Sequence, residues 1–297
     1  NQNPGDSWRN RYHSLCLHDT VWYDHMPYLP FPDHWPIFSP KDKIGDWLEM
    51  YTKIMEINYW GSTECLNASY DQKKQTWEVI ADREGQEIKL TPRHLILATG
   101  MSGMPQFPDI KNIDKFKGDY CHSSGFKNGL EYREKNAVIV GSNNSAHDIA
   151  AELWEQGAAN VTMIQRSSTT VAKSKTLTEL SNNGVYSENA ARAGITTNIA
   201  DITVASTPYK LIHVDGQKTV KKLKDIDKQF YTKLEKSGFM FDWGEDESGL
   251  SVKYLRRGSG YYIDVGGSDL IINGEIKLES PAEVKEFREN SVVLSNG

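Results

Sequence analysis

Residues 136–165 restrict the fold of this chain more than any other stretch. A short apolar run, 136–140, meets the turn Gly141-Ser142-Asn143-Asn144-Ser145-Ala146. Ala146, Ile149, Ala150, Leu153 and Trp154 then recur at helical spacing as far as about Gln156. Gly157 is a C-terminal stop, and 160–165 reads as the next strand. Strand, tight turn, helix and strand within about 30 residues make a βαβ unit, so the expected fold class is α/β.

The turn has its own chemistry. A dinucleotide fold places G-x-G-x-x-G/A after the strand: glycine permits the tight turn, lets the backbone approach a pyrophosphate, and lets helix pack on strand. Here Gly141 and Ala146 fill the first and third places and Asn143 the second. Asparagine tolerates left-handed φ, yet its side chain narrows the space for phosphate. Taken alone the turn is a weak signal. After the second strand, where an NAD site would place Asp or Glu, this chain has Arg166, Ser167 and Ser168. An arginine fork with two hydroxyls suits a 2′-phosphate, so the site reads as selective for NADPH. The competing reading is a surface arginine on a structural βαβ unit. Asn144 and Ser145 suit helix capping, cofactor contact, or both.

Elsewhere the pattern is coarser. Trp8, Trp22, Trp35, Trp47 and Trp60 lie in a proline-interrupted stretch, an ordered irregular wrap with a helix near 44–57. Its aromatics suit a ligand wall or simple packing. Alternation over 77–90 predicts a hairpin, and the run 94–100 a buried strand ended by Gly100. A lysine-rich helix is expected at 220–236 with Val220, Leu223, Ile226, Phe230 and Leu234 inward and its lysines solvated. Strand, turn and strand are expected at 284–294.

With 38% hydrophobic residues and a mean hydropathy of −0.58, the chain has material for a core. Its net charge of −6 argues against non-specific nucleic-acid binding. There is no transmembrane-length apolar run. Cys16, Cys65 and Cys121 are odd in number and far apart in sequence, matching neither a CxxC pair nor a zinc cluster. No metal is expected, and a reduced, cytoplasmic setting is.

His122, within 116–126, is by spacing alone a weak signal. The run Phe116-x-Gly118-x-x-x-His122-Ser123-x-x-Phe126, however, resembles the fingerprint of class B flavin-dependent monooxygenases, and it precedes the 141–146 turn as in that family. Leu97-Ala-Thr99-Gly100 with Pro105 is similar to the family's linker between FAD and NADPH domains. The segment 253–266 resembles the fungal and bacterial branch related to indole-3-pyruvate monooxygenases, and 5–12 the FAD-wrapping stretch.

The resemblance implies two Rossmann-like dinucleotide-binding domains, the FAD domain incomplete and the NADPH domain inserted into it. The expected course is 1–112 for the FAD domain, 113–275 for the NADPH domain and 276–297 for a return to the first. The chain resembles the central part of such an enzyme, without the first FAD loop. By resemblance, NADPH reduces FAD, the flavin takes up O2 as a C4a-(hydro)peroxide, and one oxygen passes to a small organic substrate. Gly141–Ala146 would hold the pyrophosphate, Arg166, Ser167 and Ser168 the 2′-phosphate, and Trp8, Arg9, Thr99 and Gly100 would lie at FAD. His122 is the candidate at the reaction centre, ordering the interdomain region rather than acting as a general base. Phe126, where Baeyer–Villiger members carry tryptophan, leans toward heteroatom- or acid-oxidising relatives. The alternatives are a non-catalytic NADPH-binding module and an NADPH-dependent flavoprotein disulfide reductase, which needs a close cysteine pair.

Overall fold

The computed structural model describes residues 1–32, 34–100 and 104–297. Two compact units emerge, one of 1–11 with 39–105 and one of 12–38 with 106–297. Residues 12–38 thus cluster with the second unit, and 276–297 lie in it too.

In the first unit, helix α1 (Asp6–Arg9) packs on α2 (Lys41–Ile54), the helix expected near 44–57. The two backbones approach so closely that a Cβ on Gly5, itself at φ +85°, would sit 2.2 Å from the Gly45 carbonyl oxygen. Strands β1 (Thr63–Asp71), β2 (Thr76–Arg83) and β3 (Gln86–Leu90) form an antiparallel meander. The β2–β3 hairpin turns at Glu84 and Gly85, both with positive φ, a geometry that matches strand twist. β1 was not legible from the alternation at 77–90 and is drawn in by that hairpin, with Tyr70 opposite Trp77.

The run 94–100 departs from expectation. It is not a strand, and Ile96 and Leu97 are 85% and 80% exposed. An apolar run becomes a buried strand only where another strand pairs with it and both faces are covered. The described sheet of this unit consists of β1–β3 and does not include it.

The second unit contains the βαβ element. Strand β4 (Asn136–Val140), helix α3 (Asn144–Glu155) and strand β5 (Asn160–Ile164) follow in order, with β4 and β5 parallel. Then come β6 (Thr169–Lys173), α4 (Ser174–Ser181), α5 (Glu188–Arg192), α6 (Thr197–Ala205), α7 (Tyr209–Ile226) and α8 (Lys228–Lys236). The chain continues with β7 (Phe241–Asp242), α9 (Gly249–Arg257), β8 (Tyr261–Asp264), α10 (Gly267–Ile272) and β9 (Lys277–Glu279). It ends in the hairpin β10 (Val284–Arg288) and β11 (Ser291–Leu294) expected at 284–294. Two parallel three-stranded sheets result, in the orders β4-β5-β9 and β7-β6-β8.

Ile149, Ala150 and Leu153 of α3 join Val161, Met163, Phe230, Leu234, Phe239, Tyr262 and Ile276 in one buried cluster. Trp154, expected inward, is exposed, while Glu152 is buried. The exchange is stable because the Glu152 carboxylate accepts the Gly129 amide at 3.0 Å and the Ser14 hydroxyl. Such satisfaction is what a buried charge requires. The lysine-rich helix is likewise two helices broken at Asp227. Val220, Leu223, Phe230 and Leu234 are buried as expected, whereas Ile226, beside the break, is exposed.

The two sheets meet at Gln165, which is fully buried. Its side-chain amide donates to the Met240 carbonyl at 2.8 Å and accepts the Met240 N–H at 2.8 Å. Its backbone N–H donates to Glu279 and its carbonyl accepts from Ala282. Gln165→Leu leaves the Met240 N–H without its acceptor, while the Met240 carbonyl keeps the Thr169 N–H at 3.2 Å. The expected loss is about 1–3 kcal/mol of unfolding free energy in urea denaturation. A loss within experimental error would show that these bonds are dispensable.

Candidate functional site

Gly141, at φ +130°, donates its amide to the Ile164 carbonyl and turns the chain from β4 into α3. A Cβ there would have space, the nearest atom being Ala146 Cβ at 3.8 Å, so the requirement is conformational. Asn143 is extended (φ −96°, ψ −172°) and needs no left-handed tolerance. It stands at the N-cap position of α3, yet no side chain caps the helix. Its Oδ1 instead accepts the Thr169 hydroxyl at 3.3 Å. The first-turn amides of a twelve-residue helix are therefore left without a side-chain acceptor, the condition that favours an anion there.

Its neighbours in the turn divide between support and exposure. Ser142 is buried, with its hydroxyl 2.8 Å from that of Thr169. Asn144 accepts the Ile263 amide at 2.9 Å and ties the start of α3 to β8. Ser145 and Ala146 are half-buried in the first turn. Thus Ser142, Asn143 and Asn144 fix the turn's shape through their side chains.

Arg166 and Ser167 are exposed beyond the end of β5. Ser168 is committed differently: its hydroxyl donates to Asp242 at 2.7 Å. Burial pushes the Asp242 carboxyl up, but Lys253, Thr170, Ser168 and the Gly244 amide outweigh it and hold the group at about 2. Lys253 Nζ reaches both carboxylate oxygens, at 2.7 and 3.0 Å. No local motif marks Asp242, and Lys253 stands at the start of the 253–266 segment with nothing in that segment pointing to Asp242. Long-range structure brings them beside Ser168: Asp242 through the pairing of β7 with β6, and Lys253 through α9, which packs on β6.

His122 is half-buried in a local turn. Its Nδ1 accepts the Ser124 amide at 3.2 Å and lies 2.9 Å from the Ser124 hydroxyl, and its ring meets Phe107 edge-on. Phe126 is buried against Tyr132. In the first unit, Arg9 spends all five N–H donors on Pro4, Asp6, Asp46 and Glu49. Trp8 is half-buried, while Thr99 and Gly100 are exposed. A separate cavity of about 290 Å³ is lined by Trp22, Val185, Ala191, Ile195 and Thr196, among others, and by none of the expected nucleotide residues. Among the described residues, no group of three or more His, Cys, Asp or Glu could hold a metal ion, and no helix is long and apolar enough to cross a membrane.

These features define an α/β protein whose glycine turn leads into an open helix start. A family model described as FMO-like, flavin-binding monooxygenase-like, matches residues 3–190, more than half of the chain, and the chain belongs to that family. It is 30% identical over 162 residues to the probable indole-3-pyruvate monooxygenase YUCCA10 of Arabidopsis thaliana, covering 54% of this chain and 42% of that relative. To indole-3-pyruvate monooxygenase YUCCA1 of Oryza sativa subsp. japonica it is 31% identical over 153 residues, 51% and 37% of the respective chains. The chain thus spans about two fifths of the length of the curated relatives it matches. Similar folds are seen in ε-caprolactone-bound cyclohexanone monooxygenase (TM-score 0.66, 16% identity, 100% of this chain and 64% of that one) and in OTEMO with FAD and NADP (0.64, 16%, 99% and 62%).

His147, one position after Ala146, escaped the sequence reading. It is buried, stacked on Tyr262 at 3.7 Å, with Nδ1 3.2 Å from the Asn143 carbonyl oxygen and no partner for Nε2 among the described residues. Burial pushes its pKa down to about 4. The unfolded chain takes up this proton near pH 6.5 and the folded chain only near 4, so stability falls as pH drops through that window. Over the full window the loss amounts to roughly 3 kcal/mol. His147→Phe keeps the ring stack and removes the titration. Its urea midpoint should fall less than the wild type's between pH 7.5 and 4.5, and parallel pH profiles would contradict this.

Proposed function

We propose that this chain serves an NADPH- and FAD-dependent monooxygenase that transfers one atom of O2 to a small organic substrate. The observation that carries the reading is the uncapped start of α3 behind Gly141, with Arg166 and Ser167 exposed beyond the adjacent strand. The first-turn amides of α3 would receive the NADPH pyrophosphate, and the Arg166 fork its 2′-phosphate. Because Ser168 gives its hydroxyl hydrogen to Asp242, donation to that phosphate falls to Arg166 and Ser167. Lys253 offsets the Asp242 charge, which would otherwise oppose an anion nearby.

Residues 113–275 would then form the NADPH domain, and 1–112 with 276–297 contribute to the FAD domain. Trp8, Thr99 and Gly100 are assigned to the FAD side. Arg9, whose donors are all engaged, is assigned to holding the segment that carries Trp8 rather than to contacting the cofactor. Flavin, when bound and reduced, supplies the activation of O2, and the protein's part is to orient the cofactors and exclude water. His122, held through Nδ1, is assigned a positioning role. For the disulfide-reductase alternative no support arises, since Cys16, Cys65 and Cys121 are all free and exposed.

Titration with NADPH and NADH tests the nucleotide site. Arg166→Ala should weaken NADPH roughly 10- to 100-fold while leaving NADH affinity unchanged. Equal losses for both, or no binding of either by the wild type, would remove the assignment. Anaerobic addition of NADPH to FAD-incubated protein tests the redox half: a bound flavin spectrum should bleach.

A further inference from the structure

Asparagine followed by glycine carries a chemistry of its own. The glycine nitrogen, with no β-carbon beside it, can attack the asparagine side-chain amide and close a cyclic imide. The chain holds four such pairs: Asn128–Gly129, Asn183–Gly184, Asn273–Gly274 and Asn296–Gly297. In sequence they are equivalent, and the fold separates them.

The nucleophile is the glycine nitrogen once its proton has left, and its electron pair then lies where the N–H pointed. A glycine N–H held by an acceptor elsewhere therefore aims away from the neighbouring Cγ, and freeing it costs a hydrogen bond. Gly129 donates to Glu152 Oε1 at 3.0 Å. Gly274 donates to the Ile271 carbonyl at 3.1 Å and Gly297 to the Leu294 carbonyl at 3.4 Å. Gly184 donates to no acceptor among the described residues, and both Asn183 and Gly184 are exposed in the turn that leaves α4.

Two neighbours act on the reacting atoms. The Ser187 hydroxyl donates to the Asn183 backbone carbonyl at 2.6 Å. That carbonyl shares a peptide group with the Gly184 nitrogen, so the bond draws charge from the nitrogen and eases loss of its proton. Asn189 Nδ2 donates to Asn183 Oδ1 at 3.1 Å. A donor there polarises Cγ and stabilises the charge that gathers on Oδ1 as the nitrogen adds. Hydrogen bonds thus fall on the electrophile and on the nucleophile's peptide carbonyl, and the nucleophile itself is left unengaged.

We propose that Asn183–Gly184 is a site of self-modification, promoted by Asn189, that converts Asn183 to aspartate and isoaspartate without an enzyme. Solvent hydroxide takes the Gly184 amide proton. The bond from Gly184 N to Asn183 Cγ forms, the Cγ–Nδ2 bond breaks, and Nδ2 leaves as ammonia with a proton from water. One water then opens the imide: attack at Cγ gives aspartate, and attack at the Asn183 backbone carbonyl gives isoaspartate, whose main chain runs through Cβ and Cγ. Either product places a carboxylate between α4 and α5. Val185 and Ser187 line the cavity of about 290 Å³, so the longer main chain of isoaspartate shifts two of its wall residues.

The test is peptide mapping by mass spectrometry of the full chain held in mildly alkaline buffer made with heavy-oxygen water, with and without urea. Each imide that opens takes up one heavy oxygen, which separates conversion during the incubation from conversion during preparation. In the folded chain the Asn183 peptide should convert at least about tenfold faster than the Asn128 and Asn273 peptides, and in urea the difference should vanish. Gly184→Ala, at a position where a Cβ meets nothing within 4 Å and φ is not left-handed, should suppress conversion and leave the circular dichroism spectrum unchanged. Asn189→Ala should slow conversion roughly 2- to 10-fold. An Asn183 that stays intact, or one that converts no faster than Asn128 and Asn273 in the folded chain, would overturn the proposal. So would a difference that persists in urea, or faster conversion in Asn189→Ala.

Discussion

The second unit depends on one buried amide. Gln165 joins the end of β5 to Met240 through a reciprocal pair of hydrogen bonds, and its backbone simultaneously joins Glu279 and Ala282. Thr169, four residues on, is then in reach of Ser142 and Asn143 in the glycine turn. The positions of Arg166, Ser167 and Ser168 follow, since these three residues span the gap between Gln165 and Thr169. A polar side chain can take this role in a core only when its hydrogen-bonding groups are engaged, and Gln165 meets that condition.

Helix α3 shows how burial and openness are combined in one element. Its middle is fixed by apolar packing and by Glu152, while its start is held through Asn144 to β8. The side chains that could have capped the helix are engaged elsewhere. Its first turn stays available to an anion because Asn143 is taken up by Thr169, not because polar residues are missing.

What could be read from the sequence was what periodicity encodes. The βαβ unit at 136–165, the hairpins at 77–90 and 284–294 and the helix near 44–57 all rest on patterns local to a dozen residues. Three departures share a different cause. Trp154 is exposed and Glu152 buried because Gly129 and Ser14, distant in sequence, supply hydrogen bonds that a helical wheel cannot register. The run 94–100 has strand composition without strand pairing, and pairing is a property of neighbours. Asp242 reaches Ser168 through strand order and Lys253 reaches Asp242 from α9, and no spacing rule anticipates either. Of the expected site, Gly141–Ala146 and Arg166–Ser168 lie at successive ends of one βαβ unit. Trp8, Arg9, Thr99 and Gly100 fall in the other compact unit.

The extended backbone of Asn143 bears on how such turns drift. With φ at −96°, the middle position of the glycine motif imposes no stereochemical demand for an achiral residue; the left-handed requirement is concentrated at Gly141. A lineage can therefore exchange the second glycine for a side chain that finds an acceptor or donor on the next strand, and keep the turn's path intact. Pattern searches that insist on both glycines would pass over chains whose backbone geometry is nonetheless preserved.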